Sequence, residues 1–373
     1  MVHVARTAFL LCIFTCAVSS ADEARFYLGA SVDGETRISV WVVDLETGLV
    51  SPKGSGQPIV NPSYMCVNAD SNFLYSVSER NNFEGRKDGS LSSFRIDGRD
   101  GSLTLLSTVS SRGAGPAHVS LDRTGRFLLS ANYGAGSVAI HPIGENGGLG
   151  SATASVQHSG SSVNERRQGG PHPHSIVTGP KNEHAYVPDL GLDRVKVYNF
   201  DEEDGSLSSI PEKDVVTPPG TGPRHITFHP EGKFAYVTLE LTSQLAAYAY
   251  DDGSLREIGI YDMLPPAFKG DSSSAEVRVS SDGRFVYASN RGHDSIAVFR
   301  INTLDGALTP VQYASTLGKT PRNFALDPSG RILVLHNQST ENLVTFHVDK
   351  KSGMLSPTGH QVSIGKPGMI CFF

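Results

Sequence analysis

One position recurs seven times along this 373-residue chain, as Tyr64, His118, His174, His225, Glu276, Asn323 and Met369. The intervals are 54, 56, 51, 51, 47 and 46 residues. A glycine stands seven positions after several of them, as Gly125, Gly232, Gly283 and Gly330. A strand-like apolar run follows at once, beginning at Phe127, Phe234, Phe285 and Ile332. Each repeat later carries a turn word: Asp100-Gly-Ser-Leu103, Asp204-Gly-Ser-Leu207, Asp252-Gly-Ser-Leu255 or Asp305-Gly-Ala-Leu308. A period near 50 residues, built from short strands and Asp-Gly turns, is the signature of a β-propeller blade. The repeat therefore predicts an all-β, seven-bladed propeller in a single domain over residues 22–373. The 39 glycines and a charged fraction of 19% suit such a turn-rich chain.

The two ends complete one another. Lys366 to Phe373 matches only the start of a repeat. Arg25 to Leu28, Trp41 to Val43 and Gly48-Leu49 match only the remainder. Together they predict a seventh blade whose inner strand comes from the C-terminus, a closure that removes free sheet edges. Trp41, the single tryptophan, falls on one of these strands, where packing between blades is expected.

Residues 1–21 have another character. His3 and Arg6 precede an apolar run from Ala8 to Val18, and Ser19-Ser-Ala21 ends in small residues. This pattern predicts a signal peptide cut near Ala21, and hence export to the periplasm or outside the cell. Thr15 makes the sequence before Cys16 a poor lipidation site. After cleavage no stretch remains that is long and apolar enough for stable membrane insertion. Two of the four cysteines remain, Cys66 and Cys371, expected as buried free thiols on inner strands of different blades. A formal net charge of -6 gives no nucleic-acid footprint.

Strand geometry places chemistry at one face of the disc. The first two strands of a blade are antiparallel, so the start of one lies beside the end of the other. The strand-end column reads Glu79, Tyr133, Leu190, Glu240, Arg291, Gln338 and, just past its strand, Ser31. Arg224 and Arg322 immediately precede two residues of the first column, and Gly170-Pro-His-Pro-His-Ser175 brings His172 and His174 to an inner-strand entry. These columns are mostly polar and vary in identity, which fits a binding face better than repeated packing.

At Gly170-Pro-His-Pro-His-Ser175, Gly222-Pro-Arg-His225, Phe234-Ala-Tyr-Val237 with Glu240, Ser280 to Ser295 and Asp327-Pro-Ser-Gly330, the chain resembles a known family. This is the seven-bladed lactonase family that includes propeller-type 6-phosphogluconolactonase and fungal carboxymuconate cycloisomerase. The resemblance covers essentially the whole mature chain. It implies a site without metal or other cofactor, built from His174, Arg224, Glu240 and Arg291, with 6-phosphogluconolactone as the family's best-known substrate. Around these four, His118, His172, His225, Glu276, Arg322 and Gln338 are the expected substrate-binding residues. Thr238-Leu239 before Glu240 departs from the polar Asn expected in relatives and is expected to alter the pocket wall. The leader is a second departure, since the phosphorylated lactone is an intracellular metabolite.

The residue types fit this chemistry on their own terms. Lactone opening needs a base for water, here Glu240 with His174 as the alternative, and donors for the developing oxyanion. Arg224 and Arg291 suit that task and the binding of an anionic small-molecule lactone. No Gly-x-Ser-x-Gly elbow or His-Glu-x-x-His motif supports a serine hydrolase or zincin. Gly318-Lys-Thr320 lacks the earlier glycine of a phosphate loop, and Asp201 to Gly205 lacks a full calcium-ligand series. A lactone-forming cycloisomerase and a non-catalytic propeller that binds protein or glycan remain as alternatives, and the oligomeric state is open.

Overall fold

The structure is a computed structural model and describes residues 22–32, 35–54 and 56–373. The expected leader lies outside the described residues. Seven antiparallel sheets form, and in the six internal ones the strands follow chain order from the inside of the ring outwards. The inner strands are Met65–Val67, Pro116–Leu121, Val177–Thr178, Pro223–Phe228, Ser273–Val279, Pro321–Leu326 and Lys366–Phe372. Each blade packs on the next, and the last inner strand packs on the first, which closes a seven-bladed propeller.

The seventh blade is assembled from both ends as the repeat arithmetic requires. Lys366–Phe372 pairs with Glu23–Val32, which pairs with Glu35–Asp44 and then Val50–Pro52. Ser31 falls inside the Glu23–Val32 strand rather than just past its end, because pairing continues to Val32↔Glu35. Trp41 is buried, donates its indole N–H to Ser39 Oγ at 2.9 Å and stacks near Phe26. Its cluster includes Ile332, Val334 and Leu343 of blade six, so it fills the seam between blades.

Burial follows position in the blade. Second strands such as Phe127–Asn132, His184–Asp189 and Ile332–Asn337 are buried along their whole length, since both faces meet neighbouring blades. Outer strands such as Ala154–Gln157 alternate between half-buried and exposed. Second-strand tyrosines also tie consecutive blades. Tyr27, Tyr186 and Tyr236 each donate the hydroxyl to the glycine carbonyl of the next blade's turn word, Gly101, Gly253 and Gly306, and Tyr287 does the same to Gly353 of the Ser352-Gly353 turn in blade six. The Asp-Gly words thus serve as hairpins and as acceptors across a seam.

The decisive local feature lies on the inner strands. The ladder skips residues between Pro116 and His118, Pro223 and Ile226, Ser274 and Val277, Pro321 and Asn323, and Pro367 and Met369. A bulge breaks strict alternation and re-aims the side chains within it. Arg224 with His225, Glu276 and Arg322 all lie in or at these irregularities. Gly222, at φ +63°, makes the turn that delivers Pro223 and Arg224 to the ring.

Cys66 and Cys371 are free and half-buried rather than fully buried. They line a cavity of about 670 Å³ that runs through the channel from the ends of the inner strands, on the face opposite Glu240. Asn337, which opens the glycosylation-like triplet Asn337-Gln-Ser339, is fully buried and donates to Thr316 O, so it serves packing.

Deleting residues 366–373 removes an inner strand, the Tyr27–Phe373 ring contact at 4.2 Å and the Ile370 N–H bond to Asn323. The truncated chain is expected to be insoluble or to melt at least about 10 °C lower, each ~1 kcal/mol being worth roughly 2 °C or more at this size. An unchanged melting temperature would sink the closure argument.

Candidate active site

Glu240 begins a short 3₁₀ turn directly after the second strand of blade four, Phe234–Leu239. Its backbone N–H donates to Gly222 O at 2.7 Å, which docks it against the entry to that blade's inner strand. The side chain is enclosed, and three guanidiniums converge on it. Arg224 Nε lies 2.9 Å and Arg291 Nη2 3.1 Å from Oε2. Arg167 Nη2 donates to Oε1 at 2.7 Å. Burial alone pushes this carboxyl up, but Arg291, Arg224 and Arg167 outweigh it and hold it down to about 2. Glu240 is therefore ionised throughout the neutral range.

Arg224 is as enclosed as its partner. Its Nη1 donates to His225 Nε2 at 3.2 Å. Burial and the neighbouring arginines push its guanidinium down to about 9, so it stays charged at neutral pH. Arg291, at the end of the second strand of blade five, also donates to Ser274 O at 2.7 Å. Arg322 acts electrostatically on Arg224, Arg291 and His174, yet makes no hydrogen bond or ion pair with another described residue. Three guanidiniums thus hold one carboxylate, and a fourth, Arg322, acts on two of them.

Beneath this cluster lies a layer of rings. His174 and His225 have ring centroids 5.1 Å apart, His118 and His225 5.6 Å, and Tyr64 and His118 4.2 Å. Burial, Arg224 and the other neighbouring cations keep His174 and His225 well below the ordinary imidazole range, and burial takes His118 down to about 3. All three rings are neutral at pH 7. His174 Nδ1 is buried without a hydrogen-bond partner among the described residues. Glu276 closes the layer, accepting from His225 Nδ1 at 3.3 Å and Asn323 Nδ2 at 2.7 Å and forming an ion pair with Arg278, whose Nε lies 3.4 Å away. Tyr64, His118, His225 and Glu276 also form the inner end of the 670 Å³ cavity, whereas Glu240, Arg224 and Arg291 do not line it. The larger void is thus on one side of the layer and the converging charges on the other.

The expected residues divide clearly. The fold gathers Arg224, Glu240, Arg291, His174 and Arg322, with His225, His118 and Glu276 one layer below. His172 stands at the edge, its ring stacked on Tyr133 at 4.5 Å and its Nδ1–H donated to Tyr133 O. Gln338 is half-buried at the equivalent strand end of blade six, and its side chain makes no hydrogen bond to the cluster. Thr238 is not a pocket wall: it is fully buried, and its hydroxyl accepts the His225 backbone N–H, bracing the bulge.

Arg167 escaped the sequence reading because it belongs to neither column. It rides the connection 158–176 between blades two and three, which is long beside 111–115 and 316–320. The extra length shows in the sequence as the widest interval, His118 to His174. The arginine's direction does not. A buried Asp189–His158–Tyr198 array anchors this connection: His158 Nδ1–H donates to Asp189 at 2.6 Å, and Tyr198 OH donates to His158 Nε2 at 2.8 Å. Asp189 also accepts the backbone N–H of His172 at 2.7 Å. A side chain at Gly191 would collide with the Gly170 carbonyl, so this close approach requires glycine. Among the described residues no group of three or more His, Cys, Asp or Glu side chains could hold a metal ion.

Comparison with known proteins agrees with this architecture. The family model described as a lactonase, seven-bladed β-propeller, matches residues 25–372. The chain is 36% identical over 306 residues to the 6-phosphogluconolactonase of Bacillus subtilis, covering 81% of this chain and 85% of that protein. It is 32% identical over 309 residues to the 6-phosphogluconolactonase of Formosa agariphila, covering 81% and 86%. The solved structure of the periplasmic gluconolactonase PpgL of Pseudomonas aeruginosa matches with a TM-score of 0.88 at 33% identity, covering 94% of this chain and 99% of that one. By fold, ring closure and sequence along nearly its whole described length, this chain belongs to the lactonase family of seven-bladed β-propellers.

Proposed function

We propose that the Glu240 cluster opens a sugar lactone with water, and that 6-phosphogluconolactone is the substrate. The observation that carries this reading is a buried carboxylate kept ionised by three guanidiniums, with a fourth, Arg322, acting on two of them and pairing with no other described residue. Glu240 takes a proton from water as the water oxygen attacks the lactone carbonyl carbon. Arg291 and Arg322 face the resulting oxyanion, and His174 Nδ1 accepts the water's second hydrogen bond. The tetrahedral intermediate then breaks its ring C–O bond. Glu240 returns the proton to the departing ring oxygen. The product hydroxy acid ionises and releases one proton to solvent.

Arg224 is too enclosed to meet substrate and acts as a positioning residue. An arginine cannot accept a hydrogen bond, so His225 Nε2 accepts from Arg224, and the ring proton sits on Nδ1, donated to Glu276. Glu276 thereby sets the tautomer that holds the Arg224 guanidinium against Glu240. Asn323 orients Glu276 and is itself fixed by the Ile370 N–H of blade seven.

A neutral gluconolactone is the second reading, favoured by the similarity to the periplasmic PpgL. The same similarity and the pattern of residues 1–21 support export. N-terminal sequencing of protein from its host should then start near Asp22, and a retained Met1 would refute cleavage.

Purified mature protein should be offered phosphorylated sugar lactones, neutral sugar lactones and muconates. Glu240→Gln is expected to cut kcat on the preferred lactone by roughly 10²-fold or more, and to lower stability by about 3–5 kcal/mol because it leaves three guanidiniums without their anion. Arg224→Lys should also be costly, since a point charge cannot hold two partners in the guanidinium plane. Wild-type rates in both variants would remove the cluster from the reaction.

Glu276→Gln tests the tautomer directly. With ¹⁵N-labelled histidine, the wild-type His225 should show a protonated Nδ1 and a lone-pair Nε2. The variant should lose that preference and its activity together, whereas an Nε2-protonated ring in the wild type would overturn the positioning role.

A further inference from the structure

Three guanidiniums hold Glu240, but they are not equivalent. Arg224 and Arg291 both sit on Oε2, come from strands or strand ends, and have side chains 2% and 17% exposed. Arg167 alone holds Oε1, comes from a connection, and is 40% exposed. The connection itself is firmly tied: Ser162 Oγ donates to Asp193, Gln168 Nε2 to Leu190 O at 2.9 Å, and Gln168 N–H to Asn164 O at 2.6 Å. Only the Arg167 side chain is therefore free to swing without moving a strand. Its other contact, to Tyr133 OH at 3.4 Å, is weak.

We propose that Arg167 is an exchangeable latch and determines specificity: the substrate's anionic group takes the guanidinium from Glu240, and the Oε1 so released is the oxygen that accepts the proton of water. This inference rests on the lactone-opening reading above and adds which substrates the site selects and how its base is released. It also resolves a tension within the site. With Arg224 from blade four, Arg291 from blade five and Arg167 from the connection all facing it, and Arg322 of blade six beyond, Glu240 is a weak base. An anion that neutralises Arg167 removes one of the cations holding the carboxyl down. Its basicity rises at the moment substrate is present. A neutral lactone has no group to draw Arg167 away, so it meets a base still capped on Oε1. No atom is consumed in this exchange: one charge-assisted hydrogen bond breaks, one forms, and the proton path of hydrolysis is unchanged.

The test compares wild type, Arg167→Gln and Arg167→Lys on a phosphorylated sugar lactone and its unphosphorylated counterpart. Loss of one hydrogen bond to a charged group is worth roughly ten- to hundredfold. The ratio of kcat/KM for phosphorylated over neutral lactone should fall by that factor in Arg167→Gln and by less in Arg167→Lys. With the neutral lactone, the acid limb of kcat/KM reports Glu240 in the free enzyme. It should move to higher pH in Arg167→Gln, because a cation that lowered the carboxyl is gone. A brace that merely stiffened the connection would lower both lactones alike and leave that limb in place, and either result overturns the proposal. Calorimetric binding of 6-phosphogluconate and of gluconate separates this inference from the functional reading. A selective loss of 6-phosphogluconate affinity in Arg167→Gln supports the latch even if the wild type opens no lactone, an outcome that would refute the reading of function instead. Equal affinity of wild type and Arg167→Gln for 6-phosphogluconate overturns the latch.

Discussion

The structure turns on one anion. Glu240 is the carboxylate at which segments from three parts of the ring meet: Arg224 from an inner strand, Arg291 from a strand end and Arg167 from a long connection. A buried carboxylate is tolerated only when its charge is matched, and buried guanidiniums need the same in return. The cluster is therefore stable as a set and unstable in parts. A carboxylate held to about 2 is charged at neutral pH and, for the same reason, a reluctant base.

The scaffold supplies that convergence through irregularity rather than regularity. A strand of strict alternation would send Arg224 and His225 to opposite faces. The bulge between Pro223 and Ile226 lets both take part in one network, Arg224 reaching Glu240 and His225 reaching Glu276. Comparable skips lie at Glu276 and Arg322 in their blades. Regular second strands, buried along their length, provide the rigid frame against which these bulges hold their aim.

The layer of Tyr64, His118, His225 and Glu276 gives the channel two different ends. On one side the charges converge. On the other, a cavity of about 670 Å³ opens between the ends of the inner strands. Ring closure and site assembly are linked through this layer, because Asn323 holds Glu276 with its amide and receives the N–H of Ile370 from the C-terminal strand. The segment that shuts the ring thus also orients the acid beneath Arg224.

Much of this was legible in the chain itself. The recurrence from Tyr64 to Met369 counted the blades, and the half-repeats at the two ends specified how the seventh is made, because a repeat unit that cannot bury its faces alone must find its missing strand. The paired columns also named most of the residues that meet at the mouth, since antiparallel neighbours bring a strand start beside a strand end. Sequence stopped where direction took over. It could list Glu240 and its arginines but not tell that Arg224 would be sealed between Glu240 and His225 while Arg322 found no partner among the described residues, for that depends on bulges whose side-chain aim alternation does not encode. It left Gln338 with the cluster, though its side chain bonds to none of it. It passed over Arg167 entirely, because a connection has no period and only packing against Asp189 and Asp193 decides where it points.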